Sequence, residues 1–186
     1  MSQADAVRWD EKWAARLADP PRPRRLLTAH RVLLPGGLAL DVACGPGQNA
    51  CWLAQQGYRV LAVDISRVAL QAGRERAREL GVSEQIQWLQ ADLDGWRPPA
   101  DAFDLVCVFR FLARSLLPSL RAAVRPGGWL FYATRHVGLR RYEPKASLRY
   151  LLRRGELAGA FTGWAIIHAM EGSMDASLVA GRPAIG

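Results

Sequence analysis

Lysine is almost absent from this chain. Of 25 basic residues among 186, only Lys12 and Lys145 are lysines. The rest are arginines, a bias that a GC-rich coding sequence produces by itself, so the net charge of +8 does not mark a nucleic-acid partner. The arginines are spread over predicted helices with no single basic block, and the charge reads as a generic solvated surface. Cysteine is scarce too: Cys44, Cys51 and Cys107 form no C-x-x-C pair, and their odd number argues against a disulfide framework. Long apolar runs are missing; LVCVFRFLARSLL is cut twice by arginine, which excludes a membrane span. The opening MSQADAVRWDEKW carries acids and lacks an apolar centre, so it is not read as a signal peptide. No repeat and no linker divides the chain. These absences leave the expectation of one soluble, reduced, cytoplasmic domain over residues 1–186, with no membrane contact and no nucleic-acid partner.

What is present is an alternation of strands and helices. RWDEKWAARLA, residues 8–18, reads as a short helix with Trp9 and Trp13 one turn apart. The prolines of ADPPRPRR break it, since proline lacks an amide hydrogen and clashes with the preceding turn. LLTAHRVL reads as a second helix, stopped by Pro35-Gly36-Gly37. Strands over 38–43, YRVLAVD, IQWLQA, FDLVCVF and WLFYAT follow, with helices predicted from Gln48, from the N-cap Ser66 and through SLLPSLRAAV. The near-continuous apolar run FDLVCVF is that of a parallel strand covered on both faces. Residues 135–147 read as a loop, and a helix around GELAGAF precedes strands WAIIHAM and ASLVAG. Only EGSMD separates those two, too little for a helical crossover, so they form an antiparallel hairpin. The sum predicts an α/β, Rossmann-like, seven-stranded and mostly parallel sheet with helices on both faces and a C-terminal antiparallel hairpin.

The informative stretch is LDVACGPGQNA, residues 40–50, a glycine-rich turn between a buried strand and a helix. In open α/β sheets ligands bind at the carboxyl ends of the strands. Three acids stand there: Asp41 inside the first strand, Asp64 ending the second and Asp92 after the third. A dinucleotide would use Gly45 and Gly47 for its pyrophosphate and Asp64 for a ribose hydroxyl. It leaves Asp41 unexplained, because a carboxylate facing the ligand repels a diphosphate by on the order of a few kcal/mol when partly desolvated. S-adenosylmethionine (SAM) suits all three acids. It offers a ribose to Asp64, an adenine amine to Asp92, and an ammonium and a sulfonium instead of phosphate.

At this point the chain resembles the class I SAM-dependent methyltransferases. Asp41-Val-Ala-Cys-Gly45-Pro-Gly47 resembles their glycine-rich first motif, Val63-Asp64-Ile65 their acidic second strand end, and Gln90-Ala91-Asp92-Leu93 their adenine-contacting turn. Phe103-Asp104-Leu105-Val106 and Arg125-Pro126-Gly127-Gly128-Trp129-Leu130 resemble the fourth strand and the turn into the fifth. WDEKW, GQN and LLRRGELAGAFTGWAIIHAMEG are similar to the compact tellurite-resistance and thiopurine-methyltransferase branch. The resemblance implies a cofactor site of Trp13, Asp41, Ala43, Cys44, Gly45, Gly47, Asn49, Asp64, Ile65, Asp92, Leu93, Phe109 and Arg110. It implies a helical lid over 1–36, a cofactor half over 37–135, and a substrate-side loop, helix and hairpin over 136–186. One departure is Ala43, where the family has glycine; a negative φ there is expected to preserve the close approach. Another is the loop EGSMDAS, which lacks the histidine and arginines that the tellurite branch uses, so tellurite is not assigned as substrate.

Methyl transfer from a sulfonium is an in-line displacement with an activated leaving group, so alignment and exclusion of water matter most. A general base is needed only for a protonated nucleophile. Candidates for contact with the acceptor are Arg110 after the fourth strand, and Arg135 and His136 after the fifth; with Arg114, Arg140 and Arg141 they offer a positive rim for a small anionic substrate. Trp9 and Trp13 serve either as the apolar face of a helix or as a lid over the cofactor, and Trp88 or Trp96 is placed to pack on the adenine. Cys44 reads as small packing, His30 and His168 as structural, and no metal is called for. The expected function is SAM-dependent methylation of a small molecule, with S-adenosylhomocysteine as the product. A non-catalytic SAM-binding protein and an NAD-dependent oxidoreductase are the alternatives.

Overall fold

A computed structural model describes residues 3–16 and 22–184 of the chain. The end of the first predicted helix (residues 17 and 18) and the prolines at 20 and 21 lie outside the described residues. The chain divides into two compact units, residues 1–97 and 98–186.

The first unit contains α1 (Gln3–Ala14), α2 (Arg25–Ala29), β1 (Gly37–Val42), α3 (Gln48–Gln55), β2 (Tyr58–Asp64), α4 (Arg67–Glu79) and β3 (Ile86–Gln90). Helix α1 begins five residues earlier than its tryptophans suggest, with Asp5 in the first turn, where the helix dipole favours an acid. Strand β1 pairs parallel with β2 from Gly37↔Tyr58 to Val42↔Val63, and β2 with β3 from Val60↔Ile86 to Asp64↔Gln90. Ala39, Leu40, Val42, Ala62 and Val63 are fully buried, as expected of strands covered on both faces. Ser66 caps α4: its side-chain oxygen accepts the Ala69 amide at 3.1 Å.

The second unit contains β4 (Phe103–Phe109), α5 (Leu117–Ala123), β5 (Val124–Arg135), α6 (Glu156–Ala160), β6 (Ala165–Glu171) and β7 (Asp175–Gly181). Strand β4 is buried along its whole length and pairs parallel with β5. Strand β7 lies antiparallel to both β5 and β6, which realises the hairpin. The seven strands take the order β3-β2-β1-β4-β5-β7-β6 in a mixed, mostly parallel sheet. No described helix is long and apolar enough to cross a membrane.

Strand β5 starts five residues before the predicted WLFYAT. Arg125-Pro126-Gly127-Gly128 is a bulge within it: Phe103 pairs with Val124, and the register then shifts so that Leu105 pairs with Trp129. The Gly127 amide donates to the Arg182 carbonyl at 3.0 Å, and the Arg182 amide to Gly128 at 2.9 Å. Bulges of this kind keep a ladder bonded across an irregular sequence. A Cβ at Gly128 would lie 2.9 Å from the Asp104 carbonyl and from Val124 Cγ1, whereas at Gly127 it would meet open space. Gly128→Ala is therefore expected to cost about 1–3 kcal/mol by overpacking. Gly127→Ala, at φ 79°, should cost about 1–2 kcal/mol through its left-handed backbone. Urea unfolding of both variants checks the ranking.

Candidate functional site

The glycine turn is held from below by one carboxylate. Asp64, at the end of β2, accepts the Gly45 amide on Oδ2 at 2.8 Å and the Ser66 amide on Oδ1 at 2.9 Å. This joins the turn after β1 to the start of α4. Ser66 in turn donates its hydroxyl to Asp10 of α1 at 2.6 Å, and the same Asp10 oxygen accepts the Val68 amide at 3.1 Å. Asp10 thus fastens α1 to the first turn of α4. Nothing in its local sequence signals this, because the partner lies more than fifty residues away.

Ala43 stands at φ 52°, in the left-handed region. The expected negative φ is corrected: the turn demands the glycine-like conformation, and alanine adopts it at a cost of roughly 1–2 kcal/mol. Gly45 and Gly47 are also left-handed, at φ 55° and 69°. A Cβ on Gly45 would come within 2.7 Å of the Trp13 ring, and one on Gly47 would strike Trp88. Both glycines therefore make room for indoles of this chain. Trp13, half-buried, lies over the turn. Trp88 is wedged between Gly47 and Gly73 of α4; that contact, rather than a place beside the adenine, is what the structure shows for it.

Asp41 is 1 % exposed. Its Oδ2 is buried with no hydrogen-bond partner among the described residues. Burial, and then the neighbouring charge of Asp64, push its pKa up to about 7; hydrogen bonds from the Ala50 amide and the Asn49 side chain and the charge of Arg24 act the other way. Asn49 is itself tied down, its Oδ1 accepting the Arg24 amide at 2.9 Å. Asp64 is likewise raised, mainly by burial, against the opposing effect of the neighbouring backbone amides of Ser66, Gly45 and Ile65. Burial and the two acids lift the Cys44 thiol well above its ordinary value, so it stays protonated and packs as a small apolar group. Ile65 and Leu93 are buried near these acids in the chain, while Asp92 is exposed and its Oδ1 accepts the Asp94 amide at 2.9 Å.

Beside the turn a cleft of about 530 Å3 is lined by Trp13, Pro46, Gln48 and Ala72, by the arginines Arg16, Arg22, Arg24 and Arg76, and by the acids Glu75 and Glu79. Gln48 Oε1 is the second buried acceptor oxygen here without a partner among the described residues. Arg24, Gln48 and Asp10 are the site residues that the sequence does not single out. A glutamine after a glycine turn carries no signal of its own, and Arg24 sits among other arginines.

In the second unit Phe109 is buried, and Arg110 is exposed with a left-handed φ of 59°, its amide donating to Ala133 at 2.8 Å. Arg135 forms an ion pair with Asp175 at 3.3 Å. His136, predicted in a loop and as a candidate for contact with the acceptor, is only 4 % exposed, because its amide joins the β6–β7 turn through Met174 and its backbone bridges Leu152. Its Nδ1 accepts the Gly138 amide at 3.2 Å. The Nδ1 lone pair is thereby engaged by that amide.

Comparison with known proteins bears on the family and the fold. Residues 39–128 match the family model described as a methyltransferase domain. The trans-aconitate 2-methyltransferase of Azoarcus sp. (strain BH72) is 33 % identical over 129 residues, 66 % of this chain and 49 % of that protein. The chain thus spans about half the length of such curated relatives. An S-adenosylmethionine-dependent methyltransferase from Mesorhizobium loti superposes with a TM-score of 0.67 at 22 % identity, over 83 % of this chain and 96 % of the other. TehB from Haemophilus influenzae gives 0.73 at 14 % identity, over 94 % and 67 %. At these identities the two structures speak for the fold.

The buried acids predict a pH dependence. A carboxyl raised from 3.8 to about 7 leaves the folded state holding a proton that the unfolded state has released, so stability falls across that window as pH rises. Relative to the parent, Asp41→Asn should gain stability from about pH 4 to about pH 7, by on the order of a few kcal/mol, and then level off. Chemical unfolding of both proteins across that range measures it; parallel curves would remove the burial argument.

Proposed function

We propose that the chain, whose residues 39–128 match a methyltransferase-domain family model, is a class I SAM-dependent methyltransferase: it acts as one domain that binds SAM on the turn after β1 and methylates a small molecule. The observation that carries this is the buried acceptor oxygen of Asp41 beneath the glycine turn. An uncompensated buried carboxylate is costly, and a cationic ligand head offsets that cost where a diphosphate would add to it. The cleft supports the same ligand: Gln48 Oε1 suits an ammonium, and the arginines around it suit the carboxylate of an amino-acid tail.

In this reading Asp64 keeps a lone pair on each oxygen for the ribose hydroxyls while its other contacts hold the turn. Asp92 and Leu93 border the adenine, with Ile65, Cys44 and Ala43 as the backbone floor, and Trp13 covers the methionine end. When bound, SAM supplies an electrophilic methyl on a good leaving group; this chain's task is to orient that methyl and to keep water out. Arg110 remains our candidate for contact with the acceptor. Arg135 is engaged with Asp175, and His136 serves better as a hydrogen-bonded pin than as a base. The relative named for trans-aconitate supports a small organic acid or comparably sized acceptor, and Arg110 beside the site would suit an anionic one.

Calorimetric titration with S-adenosylhomocysteine and with NAD tests the cofactor. We expect binding of the former only, weakened by about 1.5–3 kcal/mol in Asp64→Ala and lost in Gly45→Val. Wild-type affinity in both variants would move the site elsewhere. Transfer of labelled methyl to a panel of carboxylic acids, thiols and phenols then tests catalysis; tight binding with no transfer to any acceptor would make the chain a binding protein.

A further inference from the structure

The sequence reading of evenly spread arginines does not hold for one segment. Residues 140–154 contain Arg140, Arg141, Lys145, Arg149, Arg153 and Arg154 against the single acid Glu143, and all six cations are exposed. The same segment leaves Tyr142 62 %, Leu148 54 % and Tyr150 49 % exposed. We propose that residues 140–154 form a docking surface for an anionic lipid bilayer, with the cations at the headgroups and Leu148 and the two tyrosines entering the interface.

The segment is built to hold these groups outward. One end is held by Glu171, whose Oε1 accepts the Gly155 amide at 2.5 Å. The Val137 amide donates to Leu152 and the Leu152 amide to Arg135, each at 2.9 Å. Arg114 grips the middle, donating to the Arg149 and Leu151 carbonyls at 2.9 and 2.8 Å while paired with Glu156 at 2.6 Å. Arg140 closes the tip by donating to the Pro144 carbonyl. A segment fixed by this many bonds does not leave its apolar residues in water for want of order; exposed apolar groups interleaved with cations along one segment mark a surface that meets a partner.

The chemistry selects lipid over nucleic acid. A polyanionic strand would use the cations, but it has nothing for Leu148. One face of the Tyr150 ring is also taken by Arg149, whose guanidinium lies 5.5 Å from the ring centre, which obstructs base stacking there. A bilayer surface uses every group: tyrosine sits at the headgroup level, leucine reaches the acyl boundary, and arginine stems lie along the interface. For want of a spanning run the sequence sets membranes aside; a peripheral contact needs no such run.

Co-sedimentation of the full chain with vesicles tests the proposal without any activity readout. Vesicles of phosphatidylcholine mixed with phosphatidylglycerol should retain the protein, and phosphatidylcholine alone should not. At about fivefold per cation, Arg141→Gln with Lys145→Gln should weaken retention about 25-fold, and raised salt should do the same to the unaltered protein. Leu148→Ser should weaken it severalfold with the salt dependence unchanged, and should leave binding of single-stranded oligouridylate, if any, as it was. Equal binding to both vesicle types, binding to neither, or tighter binding to the oligonucleotide overturns the proposal. The three positions are exposed, and unchanged thermal melts confirm that the variants fold.

Discussion

The candidate cofactor site depends on two amide hydrogens meeting one carboxylate. Asp64 could have been an ordinary acid at a strand end, but each of its oxygens holds one amide, Gly45 or Ser66, so the turn after β1 and the N-terminus of α4 take their positions from it. Bonds to an ionised acceptor are about twice as strong as neutral ones, and here they lie in a buried setting where water does not compete. Asp10 extends the arrangement outward, and through it α1, with Trp13, is anchored to the same place.

That arrangement brings a second acid close. Asp41 and Asp64 repel each other, and the surroundings answer with an amide at the start of α3, the Asn49 side chain and Arg24. The compensation is partial. An oxygen left without a partner and a pKa near neutrality describe a site organised at some expense to stability, which is common where a ligand completes the electrostatics.

The sequence and the structure agree most where short-range pattern decides. The apolar runs of β1, β2 and β4, the Ser66 cap, the glycine turn and the hairpin forced by EGSMD all follow from residues within a few positions of each other. Disagreements arise where a distant partner decides. His136 is buried because the β6–β7 hairpin folds against it, a contact that no local pattern announces. Ala43 takes a left-handed backbone because the turn around it leaves no other path. Arg125-Pro126-Gly127-Gly128 has the composition of a chain reversal, yet Arg182, from the far end of the chain, bonds it into β5. Asp10 was legible only as part of WDEKW, with no hint of its partner. The three acids were legible as a set because each ends a strand or lies beside a turn; which of them bears the electrostatic cost depended on burial.

Trp88 ties together parts of the chain that have no chemistry in common. Its indole is pressed by Gly47 of the turn on one side and by Gly73 of α4 on the other. A bulkier residue at 73 is then tolerated only with a smaller ring at 88, and a smaller ring at 88 withdraws the support under Gly47. Evolutionary drift on the inner face of that helix is thereby chained to the shape of the glycine turn, and an engineer who repacks α4 for robustness will find that turn reshaped as a side effect.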